Sequence, residues 1–140
     1  MNVLYIMQGI PGSGKSFIAN HMQMAMGDNC VVYSTDEFHY EGDKYVFKPD
    51  KLSEFHRLNL IRSIAALAEG KTVIVDNTNI TRWQCAGYVQ FAVANNIPVV
   101  FVRVTGEFKS IHDVPQHKID RMKAQMEELT IESVLASKAP

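Results

Sequence analysis

Gly9-Ile10-Pro11-Gly12-Ser13-Gly14-Lys15-Ser16 is the stretch that decides the fold. It satisfies G-x-x-x-x-G-K-[ST] at every required position. Before it, Met1-Asn2-Val3-Leu4-Tyr5-Ile6-Met7 is a short apolar run that reads as a buried strand. After it, from Phe17 onward, Ile18, Met22 and Ala25 or Met26 recur at helical spacing. Strand, glycine-rich turn, helix is the context the motif requires. Glycines admit backbone conformations that a Cβ resists, so successive N–H groups can turn inward around an anion. The helix that follows adds the positive end of its dipole. Lys15 is then placed to reach the β- and γ-phosphates of a nucleotide, and Ser16 to put its hydroxyl on Mg²⁺. Gly9, Pro11, Gly12, Ser13, Gly14, Lys15, Ser16 and Phe17 are the expected nucleotide-binding residues, with ATP and Mg²⁺ as the cofactors.

The chain has 140 residues, a length that predicts one domain spanning residues 1–140. A hydrophobic fraction of 46% and a charged fraction of 21% are those of an ordinary globular protein able to bury a core. The net charge of −1 excludes a chain that adheres to nucleic acid by charge alone, and leaves room for a local basic face. Cys30 and Cys85 lie far apart without C-x-x-C spacing, so neither a zinc site nor a disulfide framework is expected. The N-terminal run lacks a basic leader, and no stretch approaches the ~18–20 apolar residues of a membrane span. A cytoplasmic protein is the expectation.

Further short β-rich runs follow at Cys30-Val31-Val32-Tyr33, Thr72-Val73-Ile74-Val75 and 98–104. Residues 40–49 read as a loop with Gly42 and Pro49 as breakers. Asp50 is positioned to cap a long helix with Leu52, Phe55, Leu58, Ile61, Ala65 and Ala68 on its inner face, ended by Gly70. Thr81-x-x-Gln84 is a capping box for a helix running to about Asn95. Pro115 opens a last helix lined by Ile119, Met122, Met126 and Leu129, and the final residues read as a loose tail. Strands that are continuous apolar runs alternate with helices. This is the pattern of an α/β fold: about four parallel strands covered on both faces in three layers. A site in such a sheet lies at the C-terminal edge of the strands.

At that edge the sequence places two carboxylates. Asp36 leaves the second strand within Ser34-Thr35-Asp36-Glu37-Phe38-His39. A carboxylate there can take the proton of an attacking hydroxyl, or simply cap a turn. Asp76 ends the third strand and can orient Mg²⁺ together with Ser16, or again serve a turn with Asn77 and Asn79. Lys109, in a loop at 105–114, is a candidate cation for charge that develops in transfer, with a solvated surface lysine as its bland reading. Arg57, Arg62, Arg82 and Arg103 are weaker candidates for holding an acceptor. His39, His56 and His112 form no metal-ligand pattern. Trp83 and Phe38 can stack on a base or belong to the core.

Gly9-x-Pro11-Gly12-Ser13-Gly14-Lys15-Ser16, Ser34-Thr35-Asp36-x-Phe38, Asp76-Asn77-Thr78-Asn79 and His112-x-Val114-Pro115-x-x-x-Ile119-x-x-Met122 occur in this order. The set resembles the small P-loop kinase domains related to the kinase half of bacteriophage polynucleotide kinase. The tract at 104–112 resembles a compact lid found in small stand-alone phage proteins, which would place this one in the host cytoplasm. The resemblance implies a P-loop kinase fold with a short lid at about 104–115, and ATP as donor. It implies Asp36 as the general base that activates a 5′-hydroxyl of DNA or RNA, and a lid that contributes arginine to the phosphates; Lys15 and Lys109 are the candidate catalytic cations of this sequence. Lys109 and Ser110 stand where the family commonly carries Arg-Asn, and a lysine lacks the bidentate fork of arginine. Three readings follow: a polynucleotide 5′-hydroxyl kinase, a kinase of a nucleoside, nucleotide or other small hydroxyl compound, and a nucleotide-binding regulatory module without transfer.

Overall fold

The computed structural model of the chain describes residues 1–108 and 113–140. Its main sheet is parallel and has four strands: β1 (Leu4–Gln8), β2 (Cys30–Tyr33), β5 (Thr72–Val75) and β6 (Val99–Arg103), in the order β2-β5-β1-β6. Among the described residues five α-helices accompany it: α1 (Lys15–Met26), α2 (Leu52–Ala68), α3 (Ala86–Ala94), α4 (Gln116–Gln125) and α5 (Ile131–Leu135). The α/β expectation is met because both faces of the central strands are apolar, and each needs its own cover.

Alternation along the strands divides the core in two. Leu4, Ile6, Val73 and Val75 point to one face, against Ala66 and Leu67 of α2, Tyr88, Val89 and Ala92 of α3, and Val134 of α5. Met7 and Ile74 point to the other, where Ala19 and Met22 of α1 pack with Cys30. Burial pushes the Cys85 thiol up to about 12 and raises Cys30 as well, so both cysteines are inert packing groups.

Five local expectations are corrected. Residues 40–49 are more than a loop, because β3 (Tyr40–Glu41) and β4 (Lys44–Tyr45) pair as an antiparallel hairpin. Asp50 lies inside a 3₁₀ turn (Pro49–Lys51), and the residue preceding α2 is Lys51. The inner face of α2 is Asn59, Ser63, Ala66 and Leu67, while Ile61 is exposed. On α1 the inner residue is Ala19, whereas Ile18 and Met26 face out. In both helices small or polar side chains let the helix approach its neighbours closely, and the apolar stripe yields to that geometry. The last helix does not reach Met126 and Leu129: α4 stops at Gln125, Thr130 accepts from the Ser133 N–H to cap α5, and Val134 is fully buried, so only the last few residues form the irregular end.

The candidate nucleotide site at the sheet edge

Gly12 (φ 85°) and Gly14 (φ 91°) both take the left-handed conformation that glycine admits without strain. This turns the loop directly into α1, whose first bond runs from the Ile18 N–H to the Gly14 carbonyl at 3.1 Å. Ser13 is almost wholly buried beneath the loop. The loop is then tied down at its two flanks. Gly9 donates its N–H to the Thr78 carbonyl at 3.1 Å. The Phe108 N–H donates to the Gly12 carbonyl at 2.6 Å, so the chain that leaves β6 rests on the loop. Gly106 makes that approach possible: a Cβ there would meet the Ser13 carbonyl oxygen at 2.4 Å. Phe17 is exposed, with its ring 4.2 Å from that of His21. Lys109, Ser110 and His112 lie outside the described residues.

Lys15, Ser16 and Asp76 come together. Lys15 Nζ is 2.8 Å from Asp76 Oδ1, and the Ser16 hydroxyl donates to Asp76 Oδ2 at 2.7 Å. The Lys15 and Asp76 side chains are about nine-tenths buried, so their attraction is screened far less than that of a surface pair. A carboxylate and a hydroxyl converging at the phosphate loop are the hard oxygen donors Mg²⁺ takes, with few protein ligands because phosphates and waters complete the shell. The donor set therefore fits the ion. Among the described residues no group of three His, Cys, Asp or Glu side chains competes as a metal site.

Asp36 emerges one strand away. β2 pairs with β5 so that Tyr33 lies opposite Val75, and the Asp76 N–H donates to the Tyr33 carbonyl at 2.9 Å. Both carboxylates thus leave adjacent strands at one level. The segment after β2 is a 3₁₀ turn (Thr35–His39), opened by the Ser34 side chain accepting from the Asp36 N–H at 3.2 Å. Asp36 itself is exposed, and the Tyr45 hydroxyl of the hairpin lies 3.5 Å from its Oδ1. Burial, then the neighbouring Asp36 charge, push the Tyr45 phenol up to about 12, so it remains a donor at neutral pH.

Asn77 and Asn79, which the sequence offered only as turn partners of Asp76, and Gln8, which it did not single out, hold these pieces in place. Asn77 accepts from the Thr35 N–H at 2.9 Å, linking the Asp36 turn to the end of β5. Asn79, buried and left-handed at φ 48°, donates to the Met7 carbonyl at 2.7 Å. The Gln8 side chain donates to the carbonyls of Asn79 and Glu127. Their only sequence signal was amide side chains at strand ends, where turns are also rich in Asn. Arg62 is engaged within the fold, against Tyr33, Phe38, Ser34 and Glu37. Arg82 donates to the Glu128 carbonyl and pairs with Glu127. Phe38 packs on Phe55, which favours its core reading, and Trp83 is partly exposed beside Arg82 and Lys138.

His39 is fully buried among Tyr45, Phe47 and Phe55, with Nδ1 accepting from the Lys48 N–H at 3.1 Å. Burial lowers its pKa against the opposing pull of Asp36, and Lys48 lowers it further. Burial likewise lowers His56, whose Nδ1 is 3.1 Å from the Thr35 hydroxyl. The unfolded imidazoles protonate near 6.5 and the folded ones only at lower pH, so below 6.5 the unfolded chain binds more protons. Stability is therefore expected to be full above that pH and to fall as pH drops toward 5, before carboxylates titrate. Thermal melts across this window check it, and a flat profile would contradict it.

Asp76→Asn is expected to raise the Mg²⁺ concentration for half-maximal phosphoryl transfer by about 10- to 100-fold, the usual cost of altering a metal's near partners. An unchanged Mg²⁺ titration would reduce Asp76 to an anchor for Lys15.

Residues 4–129 match the family described as AAA domain. Human NEDD4-binding protein 2 is 30% identical over 149 residues, covering 99% of this chain and 8% of that protein. The chain therefore spans about a twelfth of that relative's length. The structure of the Pnkp1/Rnl/Hen1 RNA repair complex is similar at TM-score 0.56 and 20% identity, over 95% of this chain and 42% of that one. The APS kinase of Mycobacterium tuberculosis is similar at TM-score 0.53 and 15% identity, over 89% and 96%. At these identities the structural likeness is one of fold.

Proposed function

The chain belongs to this AAA domain family, with a P-loop kinase-like fold, and we propose that it transfers the ATP γ-phosphate to a 5′-hydroxyl polynucleotide end. The observation that carries the reading is the pairing of β2 with β5. It sets the turn that carries Asp36 at the end of the strand next to the one that delivers Asp76 to Lys15 and Ser16. A proton acceptor and a phosphate-holding loop thus share one sheet edge.

In this reading the loop N–H groups and Lys15 hold the donor phosphates, and the low-polarity surroundings of Lys15 strengthen that hold. Bound Mg²⁺, held through Ser16 and Asp76, supplies further charge neutralisation at the phosphates. Asp36 accepts the proton of the 5′-hydroxyl as its oxygen forms a bond to the γ-phosphorus. The bond from that phosphorus to the β–γ bridging oxygen breaks, and ADP leaves. Lys109 adds a cation from the lid, and residues 1–140 act as one catalytic domain.

The ordered motifs and the likeness to an RNA repair complex support the polynucleotide acceptor. The likeness to APS kinase and the near-neutral charge support a small hydroxyl acceptor as the second reading. Measuring label transfer from γ-labelled ATP to 5′-hydroxyl DNA, 5′-hydroxyl RNA, nucleosides and small alcohols tests the proposal. Transfer to oligonucleotide ends is expected. Transfer confined to small acceptors would establish the second reading, and ATP binding without transfer to any acceptor would leave a regulatory module.

A further inference from the structure

A five-residue 3₁₀ turn has little stability of its own, yet a general base must be held to within about half an ångström. The residues around Asp36 show what holds it. Arg62, on α2, places its guanidinium between two rings, 4.2 Å from the centre of Tyr33 and 4.5 Å from that of Phe38. Its Nη2 donates to the Ser34 carbonyl at 3.0 Å and lies 3.2 Å from Glu37 Oε1. Ser34 and Glu37 close the turn on themselves: the Ser34 N–H donates to the Glu37 carboxylate at 2.9 Å, and the Glu37 N–H to the Ser34 carbonyl at 3.1 Å.

Arg62 is in turn anchored. Its Nε and Nη2 donate to Asn59 Oδ1 at 3.0 and 2.8 Å. Asn59 is fully buried and donates to the Tyr88 hydroxyl of α3 at 3.0 Å. An ion pair with a half-exposed Glu37 is worth little as energy. A planar fork stacked between two rings and bonded on its edge gives a fixed direction, which a flexible ammonium does not.

We infer that Arg62 is a positioning residue: it transmits the rigid α2–α3 packing to the Ser34–Glu37 turn and so fixes where Asp36 meets the acceptor hydroxyl. This rests on Asp36 being the general base. It also withdraws Arg62 from the candidate acceptor ligands, because its Nε and Nη2 already donate to Asn59 and to the Ser34 carbonyl.

Arg62→Lys keeps the charge and much of the stem but loses the fork. Transfer to a 5′-hydroxyl oligonucleotide under single-turnover conditions is expected to slow by about 10- to 100-fold, the scale of a misplacement near 1 Å. ATP affinity by calorimetry should stay within about twofold, and the acceptor KM should move little. Hydrogen exchange of residues 34–39 should quicken, while α2 keeps its protection. Glu37→Gln, on the exposed side of the clamp, leaves α2 intact and should change rate and exchange in the same direction by less. In an Asp36→Asn background Arg62→Lys should cost less than about twofold, because the group it positions is gone.

A full multiplicative loss in that background would overturn the inference, as would a rise in acceptor KM with kcat unchanged, which would make Arg62 an acceptor ligand. Arg62→Lys at the wild-type rate would also overturn it while leaving the general-base reading standing. Asp36→Asn at the wild-type rate would instead remove the base reading, and the inference with it.

Discussion

Asp36→Asn is expected to slow phosphoryl transfer to a 5′-hydroxyl oligonucleotide by about 10²- to 10⁴-fold, the usual worth of general-base assistance. The substitution keeps size and polarity and removes only the proton acceptor. ATP affinity should be nearly unchanged, since Asp36 leaves β2 while the phosphate loop follows β1, two strands away in the sheet. The fold should tolerate it as well: the carboxylate is exposed, the turn is closed by Ser34 and Glu37, and an Asn carbonyl oxygen can still accept from the Tyr45 hydroxyl. A residue serving only the turn predicts the opposite pattern, a modest loss of stability with activity kept, because Asn suits turns almost as well as Asp. Single-turnover transfer from labelled ATP, run beside thermal melts of both proteins, separates the two. Transfer by the variant at the wild-type rate would take Asp36 out of the mechanism.

Lys15→Ala should weaken ATP binding by at least about tenfold and lower transfer by more. Loss of one well-placed electrostatic group in such a site costs on the order of 10²- to 10³-fold in rate. Its effect on stability has a sign that the structure makes legible. Lys15 neutralises the buried Asp76 carboxylate at 2.8 Å. Removing the lysine leaves that charge buried without its cation, a state that is costly. The variant should therefore lose thermal stability, and Lys15→Ala with Asp76→Asn should recover much of the loss while transfer stays low. Calorimetry showing equal ATP affinity for wild type and Lys15→Ala would end the nucleotide reading of the loop. A double variant no more stable than Lys15→Ala would show that the pair carries no coupling.

The same contact illustrates where sequence reading stops. Gly9, Gly12, Gly14, Lys15 and Ser16 are legible because one short loop encodes its own geometry: left-handed glycines, then a helix start. Asp76 at the end of β5 was legible as a carboxylate at the correct edge. That Lys15 and Ser16 would each take one of its oxygens depends on β1 and β5 lying side by side, in register from Leu4 with Val73 to Ile6 with Val75.

Arg62 shows the limit most clearly. In the sequence it is one of four candidate arginines, 26 positions after Asp36. Its partners come from β2, the turn after it and its own helix, so its role exists only once α2 packs beside that turn. The inner faces of α1 and α2 escaped periodicity for a related reason. Close approach to the sheet and to neighbouring helices favours Ala19, Ser63, Ala66 and a bonded Asn59 over larger apolar side chains. The sequence by itself determined the parallel α/β sheet, the phosphate loop and the edge where the carboxylates gather, because strand pattern and loop chemistry are local properties of the chain. The tertiary structure alone decided which side chains hold Asp36, that Lys15 pairs with Asp76, and that Val134 closes the core, because each of these needs partners distant in sequence brought within a few ångströms.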